Sequence, residues 1–342
     1  MKKISMLIGL AMLISLMVTQ VTEAQQTFKF RMPNLMPKGI VGWEWYQDFC
    51  NTVKQASNGR IEITLYGVGE LMPALETWDA LSKGVIEMNW SSGLYWAGKS
   101  VASDFAVGLP YTTRNWNEMC SLLWNAGIEE YVRKHYAKHN IYLLGIWPIQ
   151  STTLVTKFPV TKVSDLKGKK IRAGGIQAQV LGAAGAAATY LPVPEVYGAL
   201  QSGVVDGCVL GGLVAAGVFS LHEVAKYGVL PPMVAGATED ITINMDVWKK
   251  LPDDLKTILT NCVRSHYTKW VAWQRNLRSG LLQKMAEKGF KFSTMPKEEY
   301  DKLRKIAMGV YEEKAKKSPE FAEGYAIVKK FMETIGSWEI ID

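Results

Sequence analysis

Four cysteines and four histidines are too few, and too far apart, to write most metal or redox chemistry into this 342-residue chain. Cys50, Cys120, Cys208 and Cys262 stand alone, without the paired short spacings of a zinc site or a redox dithiol. Three disulfide pairings are formally open, and four buried thiols fit equally well. His135 and His139 lie four apart and could chelate from one helix face. The intervening HYAKH segment lacks the Glu of a zincin, so a favourable charge at a helix C-terminus is the better reading. Also missing are G-x-S-x-G, G-x-G-x-x-G and G-x-x-x-x-G-K-[ST], which removes the standard nucleophile-elbow, dinucleotide and P-loop readings. No spacing of carboxylates marks an acid–base pair. Basic residues are scattered among acidic ones, as in EEKAKK at Glu312 to Lys317, and no basic stripe interleaves with aromatics. Nucleic-acid binding is therefore not expected.

Long hydrophobic runs are confined to one place. Met1-Lys2-Lys3 precedes the apolar stretch Ile4 to Val18, and Thr22-Glu23-Ala24 offers small residues for cleavage. This reads as a signal peptide over residues 1–24, removed on export to a periplasm. The run is short for a membrane span. No cysteine near the cleavage site offers a lipid anchor. Cleavage removes two Lys and one Glu, so the net charge of +7 becomes +6. That balance slightly favours anionic small ligands.

What the chain does have is a sentence written twice. Glu76 to Glu87 (ETWDALSKGVIE) matches Glu195 to Asp206 (EVYGALQSGVVD) without a gap. The common pattern is E-x-aromatic-x-A-L-x-x-G-V-apolar-acid. Apolar residues at three- and four-residue spacings give one face of a short helix, and the glycine stops it. A strand is expected to follow at once, through Ile86 to Trp90 in one copy and from Val204-Val205 in the other. The spacing is far too long for a solenoid repeat, so two similar α/β lobes are expected.

Around these units the pattern alternates. Phe28 to Met32 and Ile61 to Tyr66 read as strands flanking a helix from about Gly42 to Ala56. With the first copy this predicts β-α-β-α-β and a parallel sheet. Two helices follow, over Asn115 to Asn125 and Gly127 to His139. Ile141 to Trp147 is a strand, and beyond Pro148 a second runs from Thr152 to Thr156. Val163 to Leu166 is a helical turn, Lys170 to Ala173 a strand, and Gln177 to Ala188 an alanine-rich helix. From Pro252 onward the pattern is helical. The expected division is residues 25–147, with part of about 235–252, as one lobe and 148–234 as the other, with 253–342 packing on both.

Aromatic and polar residues accumulate at predicted strand ends: Trp90, Tyr95, Trp96, Trp147, Gln150 and Arg172. Ligand sites of open α/β sheets favour that edge, although tryptophan is ordinarily core. Arg172, in GKKIRAGG, suits bidentate capture of a carboxylate. By spacing alone it reads as a surface arginine.

SDLKGKKIRAGG (Ser164 to Gly175) followed by LPVPEVYGALQSGVVDG (Leu191 to Gly207) resembles the DctP-type solute-binding proteins of tripartite ATP-independent periplasmic (TRAP) transporters. NGRIEITLYGVGEL (Asn58 to Leu71) and DVWKKLPDDLKTIL (Asp246 to Leu259) extend the likeness over nearly the whole chain beyond its leader. SSGLYWAGKS (Ser91 to Ser100) is similar to the branch that binds 2-oxo acids and related monocarboxylates. The resemblance implies a two-lobed periplasmic-binding fold with a cleft between the lobes and a long helix bracing both. It implies that Arg172 grips a ligand carboxylate, that Gln150 and Tyr95 line the cleft, and that Trp147 closes one wall. The partners implied are a small organic carboxylate and the TRAP membrane subunits, and the activity is binding rather than turnover. The 2-oxo-acid branch carries a Glu-Trp pair after its V-D that contributes to a metal-bridged site. Here those positions hold Val209 and Leu210. The expectation is therefore a site with no metal or other cofactor and room for a bulkier or more apolar ligand than pyruvate, packed on Trp90, Tyr95 and Trp147. A secreted enzyme acting on a small carboxylate, or a binding protein serving a signalling receptor, are the rival readings.

Overall fold

The computed structural model describes residues 26–336, so the proposed leader over residues 1–24 lies outside the described residues. Strands β1 (Phe28–Pro33) and β2 (Ile61–Tyr66) run parallel, joined through helix α1 (Trp43–Ala56). A single parallel bridge, Asn34 to Trp90, ties β1 to β3 (Met88–Ser91), which follows helix α2 (Thr77–Ser82). β3 then pairs antiparallel with a strand from far along the chain, β9 (Val234–Asn244). The first-lobe sheet is thus mixed, not parallel as the β-α-β-α-β pattern implied. Local alternation reports strand spacing but not which distant strand takes the free edge.

Helices α3 (Trp116–Trp124) and α4 (Ile128–Ala137) lead into β4, which runs unbroken from Ile141 to Thr156. Pro148 does not divide it. The register with β9 shifts at Leu143/Gly145, Pro148/Gln150 and Gln150/Thr152, and bulges of this kind are where a strand tolerates a residue without an N–H. Up to Thr152, β4 belongs to the first sheet through β9. From Thr153 it pairs with β7 (Gly207–Leu210), and at Val155 and Thr156 with β8 (Tyr227–Leu230). One strand therefore threads both sheets.

The second sheet has the order β10-β8-β4-β7-β5-β6, where β5 is Lys170–Arg172, β6 Ala187–Thr189 and β10 Lys291–Thr294. The alanine-rich helix, α5 (Gly175–Ala183), is shorter than its composition implies. Gly185 turns with φ 95°, and Ala187–Thr189 pairs with β5 instead. Sheet pairing here outweighs alanine's helix propensity. The second repeated helix, α6 (Val196–Ser202), ends at Gly203, and its strand starts at Gly207 rather than at Val204. Val204 is exposed and Val205 is fully buried. Helix α7 (Gly212–Val218) follows β7.

Helix α8 (Asp253–Glu287) has 35 residues, about 50 Å at 1.5 Å per residue. It packs on α1 and β4 on one side and on α7 on the other. Helix α9 (Lys297–Lys317) packs on α5, and α10 (Pro319–Thr334) on α4. The result is a two-lobed α/β molecule with a long helix against both lobes. All four cysteines are buried free thiols. His135 lies between Glu320 and Glu323 of α10, at 3.3 Å from each, in a seam between helices where Lys134 and Lys138 pair with the same two acids. Among the described residues, no helix is long and apolar enough to cross a membrane.

Candidate binding site between the lobes

The ends of β3, β5 and β7 converge on a cavity of about 80 Å³. The loop after β3 supplies Ser92 and Tyr95, β4 supplies Thr152, and β9 supplies Thr238 and Glu239. Arg172, Gln177, Val193, Val209 and Leu210 close it from the second lobe.

Arg172 is 1% exposed, so it is not the surface arginine that its spacing alone described. Its Nε donates to the carbonyl of Leu191 at 2.9 Å and its Nη1 to that of Val209 at 2.6 Å. The guanidinium lies 5.0 Å from the centre of the Tyr190 ring, whose edge meets Tyr95. Nη2 makes no hydrogen bond among the described residues. The buried hydroxyls of Tyr95 and Tyr190 lie close to each other and to Arg172 without a well-formed hydrogen bond among the described residues, and the Oε1 of Gln177 also lacks a partner there. Unsatisfied buried polar atoms each cost about 1–3 kcal/mol. A planar guanidinium held at such a place can bond a carboxylate through two parallel N–H groups.

Glu239 was not singled out in the sequence. It lines the same cavity, with its Oε2 accepting from Trp90 Nε1 at 2.7 Å and its Oε1 from Tyr46 at 3.3 Å. Burial pushes its carboxyl up to about 8. The Trp90 and Tyr46 hydrogen bonds oppose that, and the adjacent Asp240 charge adds to it. Asp240, on the other face of β9, accepts from Trp96 and Tyr136 and is pushed by burial up to about 6. The signal was present: Thr238-Glu239-Asp240 places two acids inside an otherwise apolar strand, where a charge needs a reason to be buried.

Of the seven residues singled out in the sequence, Arg172, Tyr95, Val209 and Leu210 meet at this cavity. Trp90 and Trp147 do not line it. Trp90 stands behind Glu239, orienting it through the indole N–H. Trp147 is a further layer back, 4.6 Å from Trp90 between ring centres and stacked on His266 and Trp270 of α8. The bulges in β4 turn its side chain toward the long helix. The side chain of Gln150 lies outside the described residues. Cys208 is fully buried beside Arg172, with its thiol held neutral by a value pushed up to about 12. Among the described residues, no three His, Cys, Asp or Glu side chains converge as a metal cage. Glu239 is the one carboxylate lining the described cavity.

Residues 39–318 match the model of the DctP family, described as bacterial extracellular solute-binding protein, family 7. The chain is 28% identical, over 92% of its own length and 86% of the relative's, to a monocarboxylate 2-oxoacid-binding periplasmic protein of Nostoc sp.. It resembles a TRAP solute-binding protein of Bordetella bronchiseptica whose structure holds copurified calcium and picolinate (TM-score 0.82, 26% identity, 92% of this chain and 94% of that one). The fold is also shared with a Colwellia psychrerythraea TRAP protein bound to calcium and pyruvate (TM-score 0.83, 22% identity, 91% and 95% covered). The chain therefore belongs to the DctP family of bacterial extracellular solute-binding proteins, the solute-binding subunits of TRAP transporters.

Proposed function

We propose that this protein, exported after loss of residues 1–24, captures a small organic monocarboxylate of the 2-oxo or 2-hydroxy acid class and delivers it to TRAP membrane subunits. The observation that carries this reading is Arg172, buried at the cavity beside Tyr95, with its Nε and Nη1 spent on backbone carbonyls and its Nη2 making no hydrogen bond among the described residues. The names and bound ligands of the Nostoc and Bordetella proteins support the same class. The lobes, divided near residues 147 and 234, move about β4, the β8–β9 connection and α8. Closure excludes water and strengthens the charged hydrogen bonds to the carboxylate.

Leu35, Val107, Val193, Val209 and Leu210, all apolar, offer a wall to a ligand tail. Each buried methylene adds roughly 0.8 kcal/mol. Calorimetric titration should therefore show affinity rising from pyruvate to branched 2-oxo acids. A preference for pyruvate would rule out the apolar tail, and no binding across the series would rule out the substrate class.

Glu239 sets a second, sharper question. With its carboxyl near 8 it is neutral at pH 7 and can donate its proton to the ligand carboxylate. Affinity then falls as pH rises through about 8, where the proton is lost and two negative charges face each other. Chelation leaves it unchanged. The alternative reading is a cation shared by Glu239 and the ligand, favoured by this lone buried carboxylate and by the calcium of the Bordetella protein. It requires Glu239 ionised, so affinity rises with pH and with added calcium. Titrations at pH 6.5 and 8.5, with and without chelator, decide between them.

A further inference from the structure

We propose a second anion site, for a multivalent oxyanion such as inorganic phosphate, on the face of β4 opposite the ligand cavity. Side chains alternate along a strand. Thr152 faces the ligand cavity, and its neighbours Ser151 and Thr153 face a separate cavity of about 320 Å³. This cavity is walled by the segments that run between the lobes: β4, the β8–β9 connection (Leu230, Pro232) and α8 (Gln274, Arg275, Arg278). The start of α3, Arg114 to Trp116, closes it from the first lobe.

Two independent observations select an anion. The first is charge. Among the described residues, three guanidinium side chains and no carboxylate line the cavity. Arg114 is held by Glu118 at 2.5 Å, with both side chains about one-tenth exposed. Arg275 and Arg278 make no ion pair among the described residues and reach over the mouth from one helix face, three positions apart. The cluster therefore keeps an excess of two positive charges. The second is an orphan donor. The Thr153 hydroxyl, on a residue 1% exposed, has no hydrogen-bond partner among the described residues, and its backbone lies opposite Leu210 in the sheet. Hydroxyl and guanidinium donors thus approach one space from three elements. That arrangement matches an oxyanion with acceptor oxygens in several directions. The site owes nothing to Arg172, which lies across the strand.

The test titrates inorganic phosphate into the full protein at constant ionic strength, with chloride as the balancing anion. Melting temperature and tryptophan fluorescence are followed, since Trp116 borders the cavity. Saturable stabilisation beyond that of chloride is expected. The double variant Arg275→Ala/Arg278→Ala changes only exposed side chains and should weaken the apparent affinity about tenfold or more. Thr153→Val should weaken it by a smaller factor, and Arg172→Ala should leave it unchanged. A response no larger than that of chloride would overturn the proposal, as would full retention in the double variant. Loss of the phosphate response in Arg172→Ala would place the anion in the ligand cavity and overturn it too.

Discussion

The two copies of the repeated unit agree element by element at a constant offset. A 3-10 turn occupies Ala74–Glu76 in one and Val193–Glu195 in the other, and the strands are Met88–Ser91 and Gly207–Leu210. Gly84 and Gly203 close the helices at φ 71° and 79°. Val85 and Val204 follow them, both exposed, and Ile86 and Val205 are both fully buried. The acids close the units alike. Glu87 accepts the backbone N–H of Arg31 on β1 at 2.8 Å, and Asp206 that of Lys170 on β5 at 2.9 Å. Even the reach-back is repeated, since Arg31 donates to the Val85 carbonyl and Lys170 to that of Gly203. The copies part company where their strands end. The first runs into Ser92 and Tyr95, a hydroxyl-bearing loop. The second ends in Val209 and Leu210, offering an apolar wall and one backbone carbonyl to Arg172. The framework is common, and the chemistry is written only in the last residues of each strand.

The largest expected effect tests that division of labour. Arg172→Ala, on the second lobe, should weaken carboxylate binding at least thirty-fold, because losing one partner of a buried charged pair costs roughly 2–5 kcal/mol. Tyr95→Phe, on the first lobe, removes one neutral hydrogen bond worth about 0.5–1.5 kcal/mol and should cost at most about tenfold. Calorimetry on both, with circular dichroism to confirm folding, would break the comparison if the two losses were equal.

A smaller effect sharpens the framework. Gly84→Ala and Gly203→Ala each force a Cβ into a left-handed turn, at about 1–2 kcal/mol. The added carbon meets nothing at Gly203 and only an ordinary 3.7 Å contact with Asn244 at Gly84. Urea unfolding should therefore give matched losses within about 0.5 kcal/mol. Unequal losses would mean that one turn carries strain the other lacks.

The smallest effect is a pair of near-silent changes. Val85 and Val204 are 53% and 55% exposed, so Val85→Ser and Val204→Ser should each shift stability by under about 0.5 kcal/mol. A larger loss at one position alone, again read by urea unfolding, would show that the two turns differ in solution.

Much of this was legible because it is local. The repeat, the helix stops, the alternation of Ile61 to Tyr66 and the long helix from Asp253 all follow from short-range pattern. Arg172, Tyr95, Val209 and Leu210 were reachable because each sits at or just beyond a strand end. What escaped depends on distant pairing. Nothing near Trp90 announces β9 as its neighbour, so Glu239, which arrives on β9, could not be placed beside it. The place of Trp147, behind Trp90 and against α8, is hidden for a related reason. Which way a β4 side chain points depends on register shifts against β9 that the spacing of residues does not record.

Because β9 lies between β3 and β4, the first sheet cannot be completed until residue 234 and beyond have been synthesised. The strands from β4 to β8 of the second sheet are all present by residue 230, with β10 added later at an edge. Shorter separations in sequence favour earlier pairing. The N-terminal lobe is thus begun first and finished last. A chain halted before residue 234 would carry Met88–Ser91 and Ile141–Trp147 as apolar strands without their shared partner. Such edges invite aggregation or a chaperone.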